Sequence, residues 1–504
     1  MSATESFRGF LSALDAAGEL NRIQQPVSWD LEAAAITTRA NERDAAIPVF
    51  ETMSGDAASA RLVGDPYRGP PTRPWANVAR GAGIDPRSDS TTFFEAMVER
   101  LESRIEPKTV ERDEAPCKAV VNRGSDADLL DLPWPYIHQG DGGRYSSLHT
   151  LVAPDPTTEW GRCGDHRAMI HGTQRASVRL LAGEQIPNRY YYDYERGGEP
   201  MPVAIAIGPP PAVSFTSNLW IPTGRSEFEF AGSIRGSAIE LVECETNDLY
   251  VPATAEIVIE GHIHPDDRLD EGPYGDYLGF MHGPRRSMPA LDVAAITHRP
   301  DPYLPFCVDG SGTGYPFNSS NAIEHACSGP DATIGARAAG FDIERSATWP
   351  YTEQTVFVFA TEEQYDGYFH DVANFVFTSW GMLRVDFFIF VDADVDPMDP
   401  RAVFEAIALH ADPEEDFYQF GIERMPKTPL NIYQTPEEKG SADLGTSKTK
   451  TAKAYIDATR AENAEGVEQT VYSDRRLRER AQETLATAGF DASKLPLSSG
   501  RGKR

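Results

Sequence analysis

The sequence predicts a mixed α/β chain of several domains, in which a β-rich middle built as a barrel or sandwich lies between two α/β segments. Three observations predict it. The 504 residues exceed the roughly 250–300 at which one hydrophobic core stops growing. Apolar and β-branched runs separated by turn residues crowd residues 116–320. On either side, helical-period stretches alternate with short apolar runs.

Taken in order, ESFRGFLSALDAAGEL sets Phe7, Phe10, Leu11, Leu14 and Leu20 near helical spacing and breaks at Gly18, which predicts a short amphipathic helix. RIQQPVSWDLEAAAITTRANE then gives a short strand, a proline turn and a second helix. A β-rich run opens near IPVFETM, and the Pro/Gly-heavy GDPYRGPPTRP is a loop. This N-terminal α/β domain spans residues 1–115. MPVAIAIG, IELVECETNDLYVP and AEIVIEGHIHP supply strands of the central domain, residues 116–320. A third, α/β domain over residues 321–460 follows from TVFVFAT, a helix around YDGYFHDVANFVFTSW, the buried-looking strand VDFFIFVDADVDP and a helix in DPRAVFEAIALHA. Residues 461–504 form a charged tail with one helical stretch, SDRRLRERAQETLATAG, and a frayed end.

A formal charge of −30 argues against nucleic-acid binding, because neutralising phosphates takes clustered Lys and Arg. No lysine occurs from residue 119 to residue 426, while arginine is plentiful. An acidic, lysine-poor chain stays soluble through repulsion that salt screens, which suits a salt-rich, halophile-like cytoplasm. The five cysteines (Cys117, Cys163, Cys244, Cys307, Cys327) are odd in number and widely spaced, so they read as reduced intracellular thiols. No basic leader precedes an apolar run and no stretch is long enough to span a bilayer, so the expectation is a cytoplasmic protein without membrane insertion.

The segment Asp270-Glu271-Gly272-Pro273-Tyr274-Gly275-Asp276-Tyr277 concentrates chemistry. Its Gly-Pro-aromatic-Gly turn bends tightly, so Glu271 and Asp276 can be brought to one pocket. Two carboxylates in different environments are what proton transfer needs, since proximity raises one pKa and a neighbouring Arg lowers the other. By itself the segment reads equally well as a solvated acidic loop.

The same segment, EGPYGDYLGF, resembles the E-G-P-F-G-[ED] signature of the UbiD decarboxylases. Further segments agree in order: SFRGFLSALDAAGELNRI with the family's opening helix, DLPWPYIHQGDGGRYSS with its D-L-P…G-D-G-G segment, then PVAIAIG, the run from FEFAGSIRG to ELVECETNDLYVPATAEIVIEG, VDADVDPMDPRAVFEAI and AKAYIDATR. The resemblance implies an α/β (α+β) chain with an N-terminal α/β domain, a central FMN-binding split β-barrel domain and a C-terminal α/β domain that oligomerises. It implies a carboxy-lyase that reversibly decarboxylates an aromatic or α,β-unsaturated carboxylic acid with prenylated FMN, supplied by a separate flavin prenyltransferase, in a homo-oligomer. The family's active-site Arg falls on Arg167, its paired carboxylate on Glu271 and its acid–base carboxylate on Asp276.

The resemblance also implies a flavin site made of Arg162, Arg167, Ser217, Glu227 and Lys453. In the family a divalent metal, usually manganese, is held there by Asn, His and Glu, with potassium nearby. Glu227 matches the Glu and Lys453 the family's phosphate-reaching Lys, but Arg162 stands at the Asn position and Glu184 near the His position. A guanidinium stays protonated and does not ligate metals. Either Arg162 replaces the metal with a fixed cation that contacts the phosphate while Glu184 and Glu227 balance its charge, or the site has decayed in a non-catalytic paralogue that serves as a binding or scaffold subunit.

Three further features read plainly. His262 and His264 in GHIHP share a strand face but lack a third ligand, which favours surface histidines over a metal site. Gly310, Gly312 and Gly314 in CVDGSGTGYP are a loop between domains. Tyr190, Tyr191, Tyr192 and Tyr194 either line a pocket for an aromatic ligand or form an oligomer contact.

Overall fold

Ser6 opens the first helix, Phe7–Ala16, by accepting the Gly9 amide, and the helix buries Phe7, Phe10, Leu11 and Leu14 as its spacing predicts. The computed structural model describes residues 2–55, 60–181, 184–276, 279–281, 285–310, 318–349, 352, 355–378, 385–423, 450–460 and 475–489. They form two compact units, Met1–Thr459 and Arg460–Arg504. In the second, the described element is the helix Arg475–Thr487, where the charged tail was expected to be helical.

The first unit is layered from sheets and helices, the mixed architecture the sequence predicts. Leu20–Ile23, Ile47–Phe50, Arg61–Gly64 and Tyr303–Phe306 make a four-stranded sheet, so a strand from within residues 116–320, expected in the central domain, closes the N-terminal sheet by parallel pairing with Arg61–Gly64. The central sheet has nine strands. Its order is Arg144–Ser146, Ala168–Ile170, Arg175–Val178, Arg286–His298, Ile257–Glu271, Met201–Ile207, Thr150–Ala153 and Arg162–Gly164, with Val120–Arg123 added to Arg286–His298. Every pairing in it is antiparallel. Alternate residues of these strands, among them Leu151, Ala168, Val178, Val203, Ile205, Ile259 and Leu291, pack into one core. A five-stranded sheet, Ile343–Thr348, Val356–Thr361, Phe387–Val391, Lys450–Asp457 and Phe417–Glu423, carries the C-terminal part with the helices Tyr368–Thr378 and Pro400–His410.

Three elements depart from the sequence reading. Glu240–Glu243 and Tyr250–Pro252, expected in the central barrel, pair instead with Lys108–Thr109 in a separate three-stranded sheet. The helix Ser319–Ala338 was not anticipated, because Ser328, Gly329 and Pro330 interrupt its pattern. Its Asn318 cap and the burial of Ile323, Ala326, Cys327 and Thr333 override that local preference.

Lys118 is fully buried and its Nζ lies 3.0 Å from Glu260. The second oxygen of Glu260 accepts the amides of Glu245 and Thr246 and the Thr246 hydroxyl. Removing one partner leaves an uncompensated buried charge, so Lys118→Ala is expected to cost about 3–5 kcal/mol. A fall in the urea midpoint measures it, and an unchanged midpoint contradicts this role.

Candidate active site

Arg167 directly precedes the strand Ala168–Ile170, Glu271 ends the long strand Ile257–Glu271, and Asp276 lies in the short strand Gly275–Asp276. The turn between the two carboxylates reverses at Gly272, whose φ of +86° favours glycine. A second segment clamps this turn from outside: the Gly142 amide donates to the Pro273 carbonyl at 2.7 Å, and the Gly275 amide donates to Asp141 at 2.8 Å. The approach is so close that a Cβ on Gly142 would lie 2.1 Å from the Gly272 oxygen. The GDGG and EGPYGD segments are thus two halves of one structure.

Their product is a guanidinium between two carboxylates. Arg167 Nε donates to Glu271 Oε1 at 2.9 Å and Nη2 to Oε2 at 3.4 Å, while Nη1 donates to Asp276 Oδ2 at 2.6 Å. Burial by itself would lower the guanidinium pKa, but Glu271 and Asp276 outweigh it and hold Arg167 above its ordinary range. The Tyr274 ring lies under the guanidinium carbon, 4.3 Å from ring centre to Cζ. Tyr145 donates to Glu271 Oε1 at 3.2 Å and accepts the Gly272 amide at 3.1 Å. Burial keeps both phenols protonated by raising them above the usual tyrosine range.

Behind the trio, Asp309 accepts from the Tyr274 hydroxyl at 2.9 Å and from Cys307 Sγ at 3.0 Å. Burial, then the charge of Asp276, pushes its carboxyl up to about 6. Asp141 orders the opposite wall by accepting the His138 amide at 2.8 Å, with His138 Nδ1 at 3.2 Å. The sequence reading missed Tyr145, Tyr274 and Asp309, which act through contacts between distant segments.

It also missed Arg179, although a lone charge inside the apolar run ASVRLLA was a usable signal. Continuing the register Val178↔Ala168, Arg179 stands opposite Arg167 on the neighbouring strand.

Each of the expected flavin-site residues has partners of its own. Arg162 is buried, with Nε 3.1 Å from Asp155 and Nη1 3.5 Å from Glu227. Its remaining donors reach the carbonyls of Ile221, Pro222 and Arg225. Glu227 accepts the Cys163 amide at 2.8 Å, and burial pushes its carboxyl up to about 7. Ser217 donates to the Val213 carbonyl at 2.8 Å and lies 2.9 Å from the Thr150 hydroxyl. Glu184 faces His166 at 3.6 Å. Lys453 is buried on the same strand face as Tyr455, with Nζ 5.4 Å from the Phe377 ring centre.

These donors fit an anionic flavin better than a metal. Arg162 opens the strand Arg162–Gly164 and Arg167 directly precedes the strand Ala168–Ile170, so the central sheet carries two permanent cations here. A divalent cation does not fit beside Glu227, because a permanent guanidinium already stands 3.5 Å from its oxygen. Among the described residues, no group of three or more His, Cys, Asp or Glu could hold a metal ion.

Family models for the 3-octaprenyl-4-hydroxybenzoate carboxy-lyases match the chain in three parts: the N-terminal domain over residues 11–97, the Rift-related domain over 108–312 and the C-terminal domain over 342–458. The chain belongs to the UbiD family. It is a carboxy-lyase of this class. Pyrrole-2-carboxylic acid decarboxylase from Pseudomonas aeruginosa is 30% identical over 457 residues, covering 87% of this chain and 89% of the relative. The closed form of vanillic acid decarboxylase from Sedimentibacter hydroxybenzoicus superposes with a TM-score of 0.84 at 25% identity, covering 97% of this chain and 99% of that one. An evolved dimeric form of the UbiD-class enzyme HmfF from Pelotomaculum thermopropionicum, in complex with prFMN, gives a TM-score of 0.76 at 25% identity over 94% of this chain and 100% of that one.

The remaining features settle against chemistry. His262 and His264 sit 6.4 Å apart on the central sheet, with Asp292 3.6 Å from His264. Tyr190 and Tyr191 correct the expectation of an aromatic patch: both are buried in the central core, with hydroxyls on the His264 and Leu180 carbonyls, whereas Tyr192 is exposed and Tyr194 packs partly buried against that core. They divide because the run Arg189–Glu195 is helical and sends consecutive side chains in different directions. Gly310 lies in the loop after Tyr303–Phe306, while Gly312 and Gly314 fall outside the described residues, as does Tyr277.

The raised carboxyl of Asp309 has a signed consequence. Between the ordinary aspartate pKa and about 6, the folded state binds a proton that the unfolded state has released, so this group makes stability fall as pH rises through that window. Asp309→Asn is therefore expected to flatten the decline in thermal midpoint between about pH 4 and pH 6. An equal or steeper decline contradicts the assignment.

Proposed function

We propose that the chain is a prenylated-FMN-dependent decarboxylase of an aromatic or α,β-unsaturated carboxylic acid, with a reversible reaction. One observation carries this reading: Arg167 is held between Glu271 and Asp276 at hydrogen-bond distance from both. The relatives add support, since two act by name on pyrrole-2-carboxylic and vanillic acid and a third holds prFMN. The bound flavin supplies an electron sink for a carbon that loses CO2.

The chain's own residues do the rest. Arg167 keeps Glu271 paired and fixes the orientation of Asp276, which carries the proton that replaces CO2. Tyr145 and the Gly272 amide lock Glu271 from behind, so the trio has one geometry. Residues around Arg167 and Ser217 would hold the flavin, and Arg162 stands as a fixed cation where the family places its metal. Manganese and potassium form no part of this proposal. By family analogy the protein is a cytoplasmic homo-oligomer, divided near residues 115, 320 and 460, that receives its flavin from a separate prenyltransferase.

Co-expression with a flavin prenyltransferase, followed by an absorbance spectrum and metal analysis, tests the proposal. Flavin-loaded protein that keeps its flavin after chelator treatment, with manganese far below one per chain, is expected; flavin-free protein, or flavin lost with the metal, contradicts it. In the loaded protein, Asp276→Asn should retain the flavin spectrum while CO2 release drops by about 100-fold or more. Full activity in that variant rejects the role of Asp276.

A further inference from the structure

The pairing of two short strands sets a charge problem. Val178 lies opposite Ala168, so the next pair is Arg179 with Arg167, and the Arg179 amide donates to the Arg167 carbonyl at 3.1 Å. Directly opposite residues of an antiparallel pair project to the same face, and like charges placed there destabilise the sheet. Arg167 is compensated by Glu271 and Asp276. Arg179 is not: among the described residues its half-buried guanidinium forms no ion pair and no side-chain hydrogen bond. Burial lowers its proton affinity, as does Arg167, while Asp276, Glu271 and Glu184 act on it only at longer range.

The trio needs such a cation. Arg167's own donors toward Glu271 and Asp276 are already taken, so on those two sides it has none to offer an incoming carboxylate. A guanidinium left unpaired beside this group offers the planar two-donor fork that matches a carboxylate. The cost of leaving it unpaired in the empty site is returned when an anion arrives.

We infer that Arg179 is the seat for the substrate's carboxylate, so that this site selects monoanionic aromatic acids over their neutral analogues. The inference rests on the decarboxylase reading for the identity of its ligand. Glu271 and Asp276 then remain on Arg167 while the acid binds, and the proton-carrying oxygen of Asp276 is not displaced. Because the contact is made in the ground state and the negative charge leaves the carboxylate as CO2 forms, Arg179 serves binding rather than the chemical step.

The test is calorimetric titration of the flavin-loaded protein with benzoate and with benzamide, in the wild type, Arg179→Gln and Arg179→Lys. The wild type is expected to prefer benzoate by about 10-fold to 100-fold, the span of one charge-assisted pair. Arg179→Gln should lose that preference with its flavin spectrum unchanged, and Arg179→Lys should keep part of it. A preference that survives in Arg179→Gln, or a wild type that does not favour benzoate, overturns the inference. The readout is binding, so a protein that binds benzoate through Arg179 yet releases no CO2 from any acid counts against the decarboxylase reading and supports the seat.

Discussion

A buried guanidinium must be matched by carboxylates, and much of the central sheet is arranged around meeting that demand at Arg167. The long strand Ile257–Glu271 delivers one partner at its end, the turn after it delivers the other, and the GDGG segment pins that turn through two backbone amides. Tyr145, Tyr274, Cys307 and Asp309 form a second layer whose hydroxyl and thiol donors face the same carboxylates or each other. Breaking the central pair would leave charges stranded at low dielectric, which explains why residues more than 100 positions apart are held to within hydrogen-bond distance.

The meeting of Arg167, Glu271 and Asp276 was legible in the sequence because the two carboxylates share one tight turn and that turn carries a recognisable signature. Mixed architecture was legible too, since strand and helix periods alternate plainly. What was hidden depends on tertiary pairing. Strand alternation sets Lys453 on the face of Tyr455 and near Phe377, a setting that a sequence match cannot report. Glu184 turns to His166, and the ELVE strand leaves the central sheet for Lys108–Thr109. Ser319–Ala338 is helical despite Gly329 and Pro330 because burial outweighs propensity. Arg179 acquires meaning only from the register that sets it across from Arg167.

Arginine does unusual duty in this lysine-poor chain. At Arg162 a fixed cation draws together Asp155, Glu227 and three carbonyls of one loop. At Arg179 the same chemistry is left open toward the site.

The central claim is that the chemistry depends on one guanidinium bridging two carboxylates. Nuclear magnetic resonance of deuterium entering the product from D2O, for an aromatic acid that the wild type decarboxylates, tests it in flavin-loaded Arg167→Lys protein. A lysine ammonium keeps the charge but cannot span both partners. Exchange slowed by about 100-fold or more, with the flavin spectrum intact, is the predicted result; exchange at the wild-type rate contradicts the account.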